Sequence, residues 1–232
     1  MKICGLQKTT LIDYPKKIAC TIFLYGCNFR CGFCHNPELV TEENNNVFSE
    51  EEILEFLDKR KKYLEGVCIT GGEPFLTLEK NFLREIKKRG YLIKIDTNGS
   101  FPERLKEIIE EGLVDFVAMD IKASKENYGK TINADIPIEK IEESIKLISK
   151  LENYEFRTTV VDGMHDIEEM KKIARWLNEL IGKPKKYSLQ GFKNSGKVLD
   201  ESFKDKKNTS EKFLKEIQEE IKGSFEEIEI RF

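Results

Sequence analysis

Short apolar, β-branched runs alternate along this chain with longer charged stretches whose apolar residues recur at helical spacing. The runs Ile18–Tyr25, Val67–Thr70, Tyr91–Asp96, Val114–Asp120, Tyr154–Val161, Lys186–Gln190 and Phe225–Arg231 predict strands. Between them, Ser49–Tyr63, Leu78–Arg89, Pro102–Glu111, Ile138–Lys150, Asp166–Ile181 and Ser210–Lys222 predict helices. Ser49 and Glu52 have the spacing of a capping box. Gly66, Gly90, Gly112 and Gly182 fall where a left-handed residue closes a helix. Six strand–helix units and a closing strand imply an α/β fold, a parallel sheet with helices outside. A partial barrel and an open doubly wound sheet fit that pattern equally. No linker marks a second domain, so one domain over residues 1–232 is expected. Thr41–Asn46 and Gly191–Asn208 are polar and loop-like, the second long enough to be a mobile active-site segment.

Composition narrows the setting. With 39% hydrophobic residues a sizeable core can form. A net charge of −3, from 39 basic and 42 acidic residues, supplies no global basic field, and no basic cluster interleaved with aromatics is visible; no nucleic-acid partner is expected. The first apolar run follows charged residues and is too short to span a bilayer, so neither a signal peptide nor a membrane partner is expected. A cytoplasmic location follows as an expectation, with the six cysteines reduced.

Three of those cysteines are concentrated in Gly26-Cys27-Asn28-Phe29-Arg30-Cys31-Gly32-Phe33-Cys34-His35-Asn36-Pro37, directly after the first core strand. Three thiolates on one short loop can wrap one metal centre. Iron–sulfur clusters usually take four cysteines, and no fourth lies near in sequence. Three ligands on a four-iron cube leave one iron open to a substrate, as the open position does in catalytic zinc sites. A structural zinc site of Cys27, Cys31, Cys34 and His35 is the alternative; adjacent Cys34 and His35 make simultaneous ligation awkward, and a second ligand pair is missing. Cys4, Cys20 and Cys68 sit in apolar, strand-like settings and are expected to be small core residues.

The spacing of Cys27, Cys31 and Cys34, with an aromatic Phe33 before the last cysteine, resembles the C-x3-C-x2-C motif of the radical S-adenosylmethionine superfamily. The resemblance extends over nearly the whole chain. It implies a partial (β/α)6 barrel, one [4Fe–4S] cluster and S-adenosylmethionine as cofactor. In barrels of this type chemistry collects at the C-terminal strand ends. Thr70-Gly71-Gly72-Glu73-Pro74 resembles the family's GGEP segment, which binds the methionine amino group; taken alone it is a Gly-Gly turn with Glu73 near a helix start. Asp96-Thr97-Asn98-Gly99 is similar to the DTNG segment of glycyl-radical activating enzymes, and Asp120-Ile121-Lys122 to their D-x-K segment. Phe33, His35, Gly71, Gly72, Glu73, Asn98, Asp120 and Lys122 are therefore expected at the cofactor. Arg157, if it points inward, needs a carboxylate, and the methionine carboxylate is a candidate. Gln190 is placed by its strand end to meet the adenosyl group. Asp96 and Asp120, at neighbouring strand ends, would repel unless paired or bridged; a monovalent cation and a salt bridge from Lys122 are equal alternatives.

Leu6–Pro15, Cys20–Leu24 and Cys34-His35-Asn36-Pro37-Glu38-Leu39 resemble activating proteins of anaerobic ribonucleoside-triphosphate reductases. The resemblance implies reductive cleavage of S-adenosylmethionine and transfer of the radical to a glycine of the reductase, with a small donor such as ferredoxin or flavodoxin supplying the electron. Glu38–Phe48 is short and free of cysteine, so a second cluster is not expected. Alternatives are an activase of another glycyl-radical enzyme such as pyruvate formate-lyase, a small-molecule radical enzyme, and a zinc-binding interaction module.

Overall fold

A computed structural model describes residues 1–41, 48–194 and 196–232. The loop expected at Thr41–Asn46 lies, apart from Thr41, outside the described residues. The strands are β1 (Ile3–Thr10), β2 (Ala19–Leu24), β3 (Gly66–Gly71), β4 (Leu92–Thr97), β5 (Phe116–Asp120), β6 (Tyr154–Val160), β7 (Lys186–Gly191) and β8 (Glu227–Arg231). The helices are α1 (Glu38–Thr41), α2 (Glu50–Arg60), α3 (Lys80–Lys88), α4 (Pro102–Glu110), α5 (Tyr128–Ile132), α6 (Ile138–Ile148), α7 (Ile167–Ile181) and α8 (Glu211–Ile221). Among the described residues, strand order in the sheet follows the chain from β1 to β8 without closing on itself, as in a partial barrel. β1 runs antiparallel to β2. The pairs β2–β3, β3–β4, β6–β7 and β7–β8 are parallel, as βα alternation requires.

The chain packs as two compact units: Met1–Asn28, Glu38–Thr97 and Glu103–Val117 form the first, and Phe29–Pro37, Asn98–Pro102 and Ala118–Phe232 the second. In the first, Ile22, Ile69, Ile93 and Ile95 are buried along with Ile53 and Leu57 of α2 and Phe82, Leu83 and Ile86 of α3. The capping box at α2 is complete: Glu52 N–H donates to Ser49 Oγ at 3.1 Å, and Ser49 N–H donates to Glu52 Oε2 at 2.7 Å. Such a cap stabilises a helix start by about 1 kcal/mol.

In the second unit, Phe156, Val160, Tyr187 and Leu189 are buried together with Ile173 and Leu177 of α7 and Leu214 and Ile217 of α8. β8 is fastened by Arg231, whose Nη1 and Nη2 donate to the buried Glu155 carboxylate at 3.1 and 2.7 Å. A fork of this kind is a strong, directional form of ion pair.

Three glycines close helices with positive φ as expected: Gly90 (86°), Gly112 (65°) and Gly182 (73°). Gly66 does not. α2 ends at Arg60, and Gly66 opens β3, where an added Cβ would stand 2.9 Å from the Tyr14 ring. Its missing side chain makes room for that ring. Among the described residues no helix is long and apolar enough to cross a membrane.

Candidate active site

At the strand ends of the first unit, backbone meets backbone. β2 stops at Leu24 and the chain turns through Gly26 (φ 98°) into Cys27. Gly72 N–H donates to Leu24 O at 3.0 Å and Glu73 N–H to Gly26 O at 2.7 Å. A Cβ on Gly71 would lie 2.1 Å from Leu24 O; one on Gly72 would lie 2.0 Å from Gly26 O. Both glycines are thus required by the chain that leads into the first cysteine, whatever else approaches them. Glu73 is fully buried, and its Oε1 accepts Phe75 N–H at 3.1 Å and the Thr97 hydroxyl at 2.9 Å. It thereby caps the 3-10 turn Pro74–Leu76. Asp96 at the end of β4 is ion-paired with Lys94.

The second unit carries the remainder of the cysteine loop. Cys34 N–H donates to Cys31 O at 3.0 Å, closing a tight turn, and Arg30 N–H donates to Ile132 O at 2.8 Å. Phe33 is buried, its ring edge-on to His165 and tilted against Phe203, both at 6.2 Å between centroids. His35 stacks on Phe192 at 5.1 Å. Burial pushes the Cys31 thiol up to about 11, with the Lys122 ammonium opposing. A metal that takes this sulfur must displace its proton.

Within the expected loop Gly191–Asn208, the stretch Asp200–Phe203 is pinned to the cysteine loop. Asp200 N–H donates to Gly32 O at 3.0 Å, and the short turn Glu201–Phe203 lays Phe203 over Gly32. A Cβ on Gly32 would stand 2.6 Å from that ring.

The ends of β5 and β6 hold a compact charge triad. Asp120 Oδ1 accepts Arg157 Nε–H at 2.8 Å, and its Oδ2 accepts the Lys122 ammonium at 2.9 Å. Burial opposes the ionised carboxylate, but the guanidinium and ammonium outweigh it and hold Asp120 far below the usual carboxylate range. Lys122 is likewise held charged: burial lowers its affinity for the proton, and Asp120 more than restores it. Arg157 points to a carboxylate, as an inward arginine must, and that carboxylate is Asp120's; the salt bridge from Lys122 expected as one alternative for Asp120 is present.

Asn98 is buried, and its Oδ1 accepts the Ser100 N–H and hydroxyl at 3.0 and 2.6 Å. Gln190 lies on β7 in register with Thr159 and Arg231. Cys20 and Cys68 are buried and Cys4 half-buried; none of the six cysteines is in a disulfide. Two contributors escape the sequence patterns. His165, one of only two histidines, accepts Val161 N–H at Nδ1 (3.0 Å), so its Nε2–H donates to Lys122 O at 2.9 Å. It therefore ties the D-x-K segment to the loop after β6 while packing on Phe33. Its rarity in a Lys/Glu-rich chain was the available signal. Lys94 is the other; it stands two residues before Asp96 and hence on the same strand face.

The donor set fits a [4Fe–4S] cluster: Cys27, Cys31 and Cys34 are soft sulfur donors on one short loop, none of them in a disulfide, and Cys31 is already opposed by a buried cation. Among the described residues no three His, Cys, Asp or Glu side chains converge on a point as a single metal ion requires. Three thiolates bound to separate irons of a cube do not need that convergence.

Comparison with known proteins adds independent findings. A family model described as Radical SAM superfamily matches residues 21–177. A Methanocaldococcus jannaschii protein assigned as a glycyl-radical enzyme activating enzyme is 34% identical, over 99% of this chain and 95% of its own length. The pyruvate formate-lyase-activating enzyme of Clostridium pasteurianum is 33% identical over 52% of each chain. In fold, Streptococcus suis SuiB, solved with S-adenosylmethionine bound, superposes with a TM-score of 0.68 at 15% identity, covering 89% of this chain and 48% of that one.

Proposed function

Because this chain belongs to the radical S-adenosylmethionine superfamily, and within it to the glycyl-radical enzyme activating enzymes, we propose that its substrate is an anaerobic ribonucleoside-triphosphate reductase, on which it generates a glycine-centred radical. Members of this superfamily use a [4Fe–4S] cluster and S-adenosylmethionine, and this chain is an enzyme of that kind. The observation that carries the choice of substrate is the resemblance of Leu6–Pro15 and Cys34–Leu39 to activators of such reductases.

In this reading Cys27, Cys31 and Cys34 hold the cluster. Once bound, the cluster would supply the one-electron reduction by which S-adenosylmethionine is cleaved. The chain's own residues bind, orient and exclude water. Gly71, Gly72 and Glu73 shape the end of β3 beside the incoming methionine end of the cofactor. Lys122 and Arg157, already opposed by Asp120, set the charge at the end of β5, and Asn98 and Gln190 are the further residues assigned to the cofactor. Phe33 is buried and packs against Phe203, whose ring lies over Gly32 of the same loop. A ferredoxin or flavodoxin in the cytoplasm supplies the electron.

The test is anaerobic mixing of reduced protein, S-adenosylmethionine and the cognate reductase. A doublet electron paramagnetic resonance signal on the reductase, lost when its target glycine is replaced, supports the reading. Radical formation on a pyruvate formate-lyase but not on the reductase moves the assignment to that partner.

A further inference from the structure

Thr21, Cys68 and Lys94 are register partners on β2, β3 and β4, so their side chains share one face of this parallel sheet. Two residues on, Phe23, Thr70 and Asp96 continue that face. The opposite face carries Cys20, Ile22, Val67, Ile69, Ile93 and Ile95. Lys94 is thus a lysine in the body of a sheet, and it is only 2% exposed. A buried ammonium is costly unless paired. Lys94 reaches two residues along its own strand to Asp96, at the C-terminal end of β4, and lies 5.8 Å from the centre of the Phe116 ring. Asp96 is 16% exposed. It directly precedes Thr97, whose hydroxyl binds Glu73.

We propose that Lys94 is a positioning residue: its tethered ammonium is the built-in partner that orients the Asp96 carboxylate at the strand end, in place of a free monovalent cation. The pair is intramolecular, so the charge at Asp96 is met without an ion-binding equilibrium. Asp120 is served in the same way by Lys122 and Arg157. The effect on turnover rests on the radical-enzyme reading above; the effect on folding does not.

The experiment varies potassium, sodium and methylammonium chloride against choline chloride at constant ionic strength, and follows 5′-deoxyadenosine formation by the reconstituted protein and the melting temperature of the cluster-free protein. Wild-type turnover is expected to be indifferent to the cation; a saturable requirement for potassium or sodium overturns the proposal. Lys94→Met is expected to lose turnover in choline by about tenfold or more, the scale on which a displaced positioning group acts. Potassium or methylammonium should restore it saturably. Full turnover in choline, or a loss that no cation repairs, also overturns the proposal. For the cluster-free protein, Lys94→Met and Asp96→Asn should each lower the melting temperature, and the double variant should melt above the sum of the two losses. Strict additivity refutes the pairing. A wild-type protein that forms no 5′-deoxyadenosine defeats the radical reading, and the melting cycle still decides the pair. If Lys94→Met does not fold alone, the double variant, which buries no charge at this site, should fold; its failure to do so counts against the pairing.

Discussion

Replacing Gly72 by Ala tests whether the strand ends set the cysteine loop. The new Cβ would stand 2.0 Å from Gly26 O, 2.5 Å from Gly26 C and 3.1 Å from Cys27 N, all of them backbone atoms. Ordinary carbon–oxygen contact is about 3.3 Å or more, so the Gly26–Cys27 peptide must retreat by roughly 1 Å. That movement pulls against the 2.7 Å bond from Glu73 N–H to Gly26 O and the 2.8 Å bond from Gly26 N–H to Leu39 O. Overpacking of this size costs about 1–3 kcal/mol. For a chain of this length the melting temperature should fall by about 2–4 °C per kcal/mol. The larger consequence is a displaced Cys27. After anaerobic reconstitution, Gly72→Ala should bind little iron and sulfide per chain while its cluster-free form still melts cooperatively. Gly112→Ala is the control: φ is 65° but nothing lies within 4 Å of the new Cβ, so it should carry only left-handed backbone strain of about 1–2 kcal/mol and load iron normally. Full iron loading of Gly72→Ala would refute the claim that this backbone approach positions Cys27.

Asp120→Asn leaves two cations facing each other and should cost about 3 kcal/mol, the low end of the range for breaking a buried pair because Asp120 is 26% exposed. Arg157→Met leaves Asp120 balanced by Lys122 and should cost less, about 1–2 kcal/mol; denaturant titration giving the reverse order contradicts the triad. Burial lowers the proton affinity of both His165 and His35. The unfolded chain therefore takes up protons below about pH 6.5 that the folded chain resists, so stability is full above that pH and is lost as pH falls. His165→Gln should flatten the acid limb of melting temperature against pH between about 7 and 5, and an unchanged slope would assign the limb to other groups.

Seven strands were legible because their apolar runs are short, β-branched and bounded by turn residues. β1 was not: Gln7, Lys8 and Thr9 are exposed on a sheet edge, so the run lacks the apolar content of a buried strand. Its antiparallel pairing with β2 is likewise invisible to a βα alternation pattern. α5 spans only Tyr128–Ile132 before Asn133 turns left-handed at φ 47°, too short for periodicity to register. Gly66 was misplaced because its requirement is non-local, the Tyr14 ring arriving from the loop after β1. In the site, the three cysteines were legible because their chemistry lies in a single local spacing. His165 acts through the Lys122 backbone carbonyl, 43 residues away in sequence, and no local pattern encodes that distance. Period-2 alternation puts Lys94 and Asp96 on one strand face, yet a lysine inside a strand is ordinarily a solvated one.

The most direct test of the account is 5′-deoxyadenosine formation from S-adenosylmethionine by the reduced, anaerobically reconstituted protein, comparing wild type with Cys31→Ala and Cys68→Ala. Cys31 belongs to the cysteine loop beside Lys122, whereas Cys68 is buried on β3 at 1% exposure. The account predicts product from wild type and Cys68→Ala and none from Cys31→Ala, with loss of the cluster's absorbance in that variant alone. Product formed by Cys31→Ala at the wild-type rate would contradict it.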